Sequence, residues 1–151
     1  MIQTDYLHSV FYSTTFQNKI DNAVRIMFSF DKENSFEAIA FTGISGAAFA
    51  FPLAYLLSKS LICIRKANSS THCSLSIEGH VDCTSYIIVD DFISTGATIN
   101  LITTSIEKEF HHTNTYCNRN YPKFVAVFLY DEPKLDYAMK LTNNKFPIFK
   151  V

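Results

Sequence analysis

The chain carries 151 residues and 17.2 kDa, the size of one compact domain. Hydrophobic residues make up 48% and charged residues 18%, which supplies a core and excludes wholesale disorder. Thirteen lysines and arginines against fourteen carboxylates leave a formal charge of −1, without the cationic surplus a nucleic-acid-binding surface needs, so any anion site must be local.

No repeat, low-complexity tract or linker interrupts residues 1–151, and a single domain is expected. From about Phe16 to Phe28, Ile20, Val24 and Met27 or Phe28 recur at helical spacing. Residues 36–41 form a short apolar run closed by Thr-Gly, the pattern of a strand and a turn. Residues 46–58 read as a helix, with Pro52 inside it as the site of a kink. No charge falls between Ala38 and Ser58, a length that spans a bilayer. The polar turn Thr42-Gly43-Ile44-Ser45-Gly46 would put irregular backbone into lipid, however, so the run reads as buried strand, loop and helix, and no membrane is expected.

Leu61 to Ile64 is a second strand, stopped by Arg65-Lys66. Residues 65–80 are small, polar and aperiodic, the composition of a mobile loop. Tyr86 to Val89 is a β-branched run of the kind that fills a parallel strand buried on both faces. A helix from about Ala97 to Phe110, a strand from Phe124 to Tyr130, a helix over 133–142 and a last strand from Phe146 to Lys150 complete the alternation. The class is α/β, with an open, twisted, mostly parallel sheet and flanking helices.

Four cysteines (Cys63, Cys73, Cys83, Cys117) accompany no secretory h-region, so free thiols in a reducing cytoplasm are expected. Zinc has His72, His80, His111 and His112 within reach, but no Cys-x-x-Cys occurs and His80-x-x-Cys83 has no matching second pair.

In α/β sheets ligands sit outside the carboxyl ends of the strands, where Tyr86 to Thr98, YIIVDDFISTGAT, concentrates its chemistry. A hydrophobic strand delivers Asp90 and Asp91 to the sheet edge, and Ser94-Thr95-Gly96-Ala97-Thr98 turns into a helix. Successive amides at such a turn and the helix N-terminus make an anion site. The carboxylates would repel a phosphate and suit sugar hydroxyls or a hydrated Mg2+. A phosphorylated sugar fits both halves. Either Asp alone would be explained as a helix cap; the combined pattern is more specific.

This segment resembles the phosphoribosyl pyrophosphate (PRPP) motif of the type I phosphoribosyltransferases, in their orotate and adenine branches. FTGISGAAFAFPLA at 41–54 looks like that family's pyrophosphate loop and following helix. LICIRK at 61–66 is similar to the strand that enters its flexible catalytic loop, and Ile77-Glu78-Gly79 to the loop's return. The resemblance spans about Phe36 to Phe110. It implies a Rossmann-like core over about 36–130 and a reduced hood built from the N-terminal segment and the C-terminal tail. It further implies that Asp90 and Asp91 bind the ribose hydroxyls with Mg2+ held nearby through water. Ser94, Thr95, Gly96, Ala97 and Thr98 would hold the 5′-phosphate, and Thr42, Gly43, Ile44 and Ser45 would approach the pyrophosphate through their backbone. Arg65, Lys66 and His72 would act from the mobile loop, in a homodimer that transfers phosphoribosyl to a base or another small nitrogen nucleophile, its partners being PRPP and a small nitrogenous base or nucleotide.

Two departures stand out. Phe41-Thr42 precedes Gly43 where many family members carry a basic residue, and only Ala, Asn, Ser, Ser and Thr separate Lys66 from His72, where the orotate type has a further lysine. A non-catalytic PRPP- or nucleotide-binding protein, regulatory or sequestering, is therefore the rival reading, with a hydrolase on the same fold as a third. Tyr6, Phe11, Tyr12 and Phe16 offer stacking surfaces for a base or core packing alike, and His111-His112 read as a solvated loop.

Overall fold

The computed structural model describes residues 12–65, 76–114, 121–131 and 145–151. Lys66, His72, Cys73, Cys117, Tyr6, Phe11 and the helix expected over 133–142 lie outside them.

Helix α1 (Ser13–Asn34) buries Ile20, Ala23, Met27 and Phe30, a stripe at helical spacing. Strand β1 (Ala38–Thr42) leads into α2 (Gly43–Leu57), followed by β2 (Ser60–Ile64) and β3 (Ile77–Gly79). Strand β4 (Ser85–Asp90), α3 (Ala97–Asn114), β5 (Lys123–Leu129) and β6 (Ile148–Lys150) complete the described elements. Helix α2 runs through Pro52, which has no N–H for the carbonyl of Ala48; Leu53 and Ala54, both buried, hold the helix on the sheet past that point.

The six strands lie in the order β3-β2-β1-β4-β5-β6. All neighbours are parallel except β3, which runs antiparallel to β2 with Cys63 opposite Glu78. Strand β3 was expected only as the end of a polar loop, because three residues are too few to show an alternating pattern. Helix α3 extends to Asn114, so His111 stands on a helical turn rather than in a loop, exposed and 5.0 Å from the Tyr121 ring.

Alternation along the strands explains their unbroken apolar runs. Ile39 and Phe41, Ile87 and Val89, and Ala126 and Phe128 face one layer, where Phe49 and Leu53 of α2 and Met27 and Phe30 of α1 meet them. Ala38 and Ala40, Tyr86 and Ile88, and Val127 and Leu129 face the other, under Ile99, Ile102 and Ile106 of α3. Both faces are covered, so the central strands are apolar on both sides and turn polar only at their ends, at Thr42, Ser85 and Asp90. Helix α1 and strand β6 thus belong to the sheet core; the remainder of the expected hood, in residues 1–11 and 132–144, lies outside the described residues.

Chain direction sets the position of the site. From β1 the chain crosses to β2 on one side, and from β4 it crosses to β5 on the other. Right-handed crossovers in opposite directions place α2 and α3 on opposite faces and open a crevice at the carboxyl ends of β1 and β4.

Candidate active site

A cavity of about 420 Å3 occupies that crevice, lined by Thr42 to Ser45 on one side and Asp90 to Ile99 on the other. Strand β1 leaves the sheet through Gly43, whose φ of 68° is left-handed and suits glycine. Gly46 lets α2 close on the strands: a Cβ there would sit 3.1 Å from the Phe41 Cβ and 3.3 Å from the Val89 carbonyl. No side chain caps the N-terminus of α2, since the Thr42 hydroxyl turns away and donates to the Ile64 carbonyl at 2.6 Å. The first amides of a 15-residue helix are thereby available to an anion in the cavity.

Across the crevice, Asp90 ends β4 and Asp91 follows, 6% and 7% exposed. Each carboxylate accepts the next residue's amide: Asp91 N–H reaches Asp90 Oδ1 at 3.0 Å, and Phe92 N–H reaches Asp91 Oδ1 at 2.9 Å. Their carbonyls accept from Tyr130 N–H (3.3 Å) and Asp131 N–H (2.9 Å), so β5 braces the acidic pair from the next strand. Two carboxylates are thus held rigid at the wall of a polar cavity, placed to accept hydrogen bonds from vicinal hydroxyls.

Ser94 to Gly96 then turn into α3, with Ala97 N–H reaching the Thr95 hydroxyl at 3.3 Å. The start of this second, 18-residue helix also lines the cavity. Two helix N-termini therefore open on one space, with the acidic pair beside them.

The structure brings together Thr42, Gly43, Ile44, Ser45, Asp90, Asp91, Ser94, Thr95, Gly96, Ala97 and Thr98, as expected from the sequence. Arg65 stands apart: it follows β2, its guanidinium pairs with Glu78 Oε1 at 2.5 Å, and it is not among the residues lining the cavity. No lysine or arginine among the described residues lines the cavity, and no three His, Cys, Asp or Glu among them cluster to hold a metal. Cys63 and Cys83 are free thiols.

Sequence reading missed Phe92 and Ile93, which lie within the same segment, Ile99, which directly follows it, and Tyr130, which is remote from it. Tyr130 is 1% exposed and donates its hydroxyl to the Ser45 carbonyl at 2.9 Å. Burial, and then the charges of Asp91, Asp90 and Asp131, push its phenol above the usual tyrosine range, so it remains a donor. Its partner lies 85 residues away, and no local pattern marks it.

No protein-family model matches the chain, and no curated sequence matches it significantly. Solved structures do. Adenine phosphoribosyltransferase from Saccharomyces cerevisiae, complexed with an imino-altritol bisphosphate and adenine, is 20% identical, with a TM-score of 0.70 over 99% of this chain and 86% of that one. Orotate phosphoribosyltransferase from Aeropyrum pernix is 15% identical, with a TM-score of 0.65 over 99% and 78%. The orotate enzyme of Mycobacterium tuberculosis H37Rv in complex with PRPP is 11% identical, with a TM-score of 0.64 over 98% and 78%. At these identities the likeness is one of architecture, and it agrees with the site's strand, acidic pair and turn: this chain has the type I phosphoribosyltransferase fold.

Proposed function

We propose that this chain binds PRPP with Mg2+ and transfers its phosphoribosyl group to a nitrogenous base, releasing pyrophosphate. One observation carries the reading: two helix N-termini and a rigid pair of carboxylates share one cavity. PRPP has an anion at each end of a sugar with vicinal hydroxyls, and it matches that arrangement part for part. The tuberculosis enzyme binds PRPP and the yeast enzyme adenine on the same architecture.

The 5′-phosphate is assigned to Ser94–Thr98, the 2′- and 3′-hydroxyls to Asp90 and Asp91, and the pyrophosphate to the Thr42–Ser45 turn. The base nitrogen attacks C1 as the C1–O bond breaks. The bonding pair leaves with pyrophosphate, and the proton of the attacking nitrogen passes to solvent. Charge develops on the ribose ring and on the leaving oxygen, so fixed dipoles at the turn lower the barrier. The acidic pair fits an ion that brings its own water and substrate oxygens, since no larger ligand cluster exists among the described residues. Bound with PRPP, Mg2+ supplies neutralisation of the pyrophosphate charge. Lys66 and His72 are proposed to act from the loop segment, with Arg65 anchoring its start through Glu78. A cytoplasmic setting goes with this reading; among the described residues no helix is long and apolar enough to cross a membrane.

The test follows phosphorus by NMR with Mg2+, PRPP and a pool of purine and pyrimidine bases. Pyrophosphate that forms only when bases are present is the expected result. A second reading, a PRPP-binding protein without turnover, is favoured by the lack of a lysine or arginine among the described cavity residues. It predicts intact PRPP in that experiment and saturable Mg2+-assisted binding by calorimetry.

A further inference from the structure

Tyr130 touches both halves of the cavity's frame. Its backbone N–H donates to the Asp90 carbonyl at 3.3 Å, and its hydroxyl donates to the Ser45 carbonyl at 2.9 Å. Its ring lies flat on Phe49 of α2, with centroids 3.7 Å apart and planes 4° apart. Its carbonyl accepts from Lys19 Nζ of α1 at 2.7 Å, and the same ammonium pairs with the Asp131 carboxylate. The Asp131 N–H returns to the Asp91 carbonyl at 2.9 Å. One buried residue thus joins the carboxyl end of β4, through its backbone, to the first turn of α2, through its hydroxyl, with α1 clamping it from behind.

We propose that Tyr130 is a positioning residue that holds the Thr42–Ser45 turn at a fixed spacing from Asp90 and Asp91. The inference rests on the PRPP reading and deepens it. A turn that starts at a left-handed glycine and has no side-chain cap has few local restraints of its own. The phenol supplies one from outside the turn, and binding then spends less free energy on ordering the amides that meet the leaving group. Phosphate and ribose contacts come from β4 and the turn into α3, which the phenol does not touch. The hydroxyl therefore serves the pyrophosphate end of the ligand and leaves the ribose 5-phosphate end alone.

Calorimetry of wild type and Tyr130→Phe with three probes, each with Mg2+, tests this: PRPP, inorganic pyrophosphate and ribose 5-phosphate. The substitution keeps the stacked ring and removes one hydrogen bond. PRPP and pyrophosphate should bind about five- to tenfold more weakly, the range of one hydrogen bond, and ribose 5-phosphate as in wild type. Met27→Ala opens the same core away from the turn, at a larger cost in stability, and serves as the control for general loosening, with all affinities unchanged. Unchanged PRPP affinity in Tyr130→Phe, or an equal loss for PRPP and ribose 5-phosphate, overturns the positioning role. A wild type that binds none of the three sinks the PRPP reading itself, and this inference with it.

Discussion

Asp90 and Asp91 each have a backbone amide from the following residue, and both are buried at a cavity wall. Replacing both by Asn keeps the shape and removes two charges aimed at the ligand. PRPP affinity at fixed Mg2+ should fall roughly a hundredfold or more, as expected for two charge-assisted contacts, and calorimetry reads it directly. Gly43→Ala puts a Cβ on a φ of 68°, a cost of about 1 kcal/mol, which lowers the melting temperature by about 2 to 4 °C in a chain of this size. Cys83 offers a pH-dependent readout. Burial first, then the Glu37 carboxylate, raise its thiol from an ordinary 9.0 to about 11. Its contribution to stability is complete below pH 9 and is lost as the pH rises through about 11, because the unfolded thiol ionises first. Alkylation of Cys83 in the folded protein should accordingly stay slow at pH 9 and match a free thiol only in denaturant.

At the scale of elements, Lys59 staples three of them at the amino ends of the strands, away from the cavity. Its ammonium bonds Asp31 at the end of α1 (2.6 Å) and the Phe36 carbonyl ahead of β1 (2.7 Å), 4.5 Å from the Phe36 ring centroid. Asp31 in turn accepts the Phe36 N–H at 3.0 Å. Lys59→Met should cost about 1 to 3 kcal/mol, read as a lower urea midpoint with an unchanged slope, and leave ligand affinity alone. Much of this level was legible beforehand. Strands β1, β2, β4 and β5 are short apolar runs closed by turn residues, and α1 shows its stripe at the right period. Strand β3 and the pairing of Arg65 with Glu78 were not legible, because an edge strand of three residues takes its conformation from its neighbour.

For the whole molecule, the outward face of α2 is the conspicuous surface. Phe51, Tyr55 and Leu56 are 59%, 85% and 52% exposed, while Phe49 and Leu53 on the other side are buried. Exposed apolar side chains grouped on one helix suit an interface, and a second copy covering them would make the homodimer that the family resemblance implied. Sedimentation should show a dimer at micromolar concentration, and Phe51→Ser with Tyr55→Ser should shift it to monomer. A monomeric wild type in an active sample would count against the dimer.

The composition, the two-sided burial of the central strands and the segment from Tyr86 to Thr98 were all determined by the sequence alone, because each depends on residues close together in the chain. Period, turn chemistry and an acidic pair before a Thr-Gly-x-Thr turn are local properties, and they placed seven residues now seen around one cavity; the other four, Thr42 to Ser45, came from the family resemblance. What joins the cavity's two walls is not local. Strand order decides that β1 and β4 are neighbours although 48 residues separate Ala40 from its partner Ile88, and that pairing sets Thr42 near Asp90. Tyr130 reaches Ser45 across 85 residues and Phe16 meets Phe49 edge-on at 5.3 Å for the same reason. Tertiary structure alone decided these contacts, since burial on a shared sheet brings together residues whose separation in the chain carries no pattern to read.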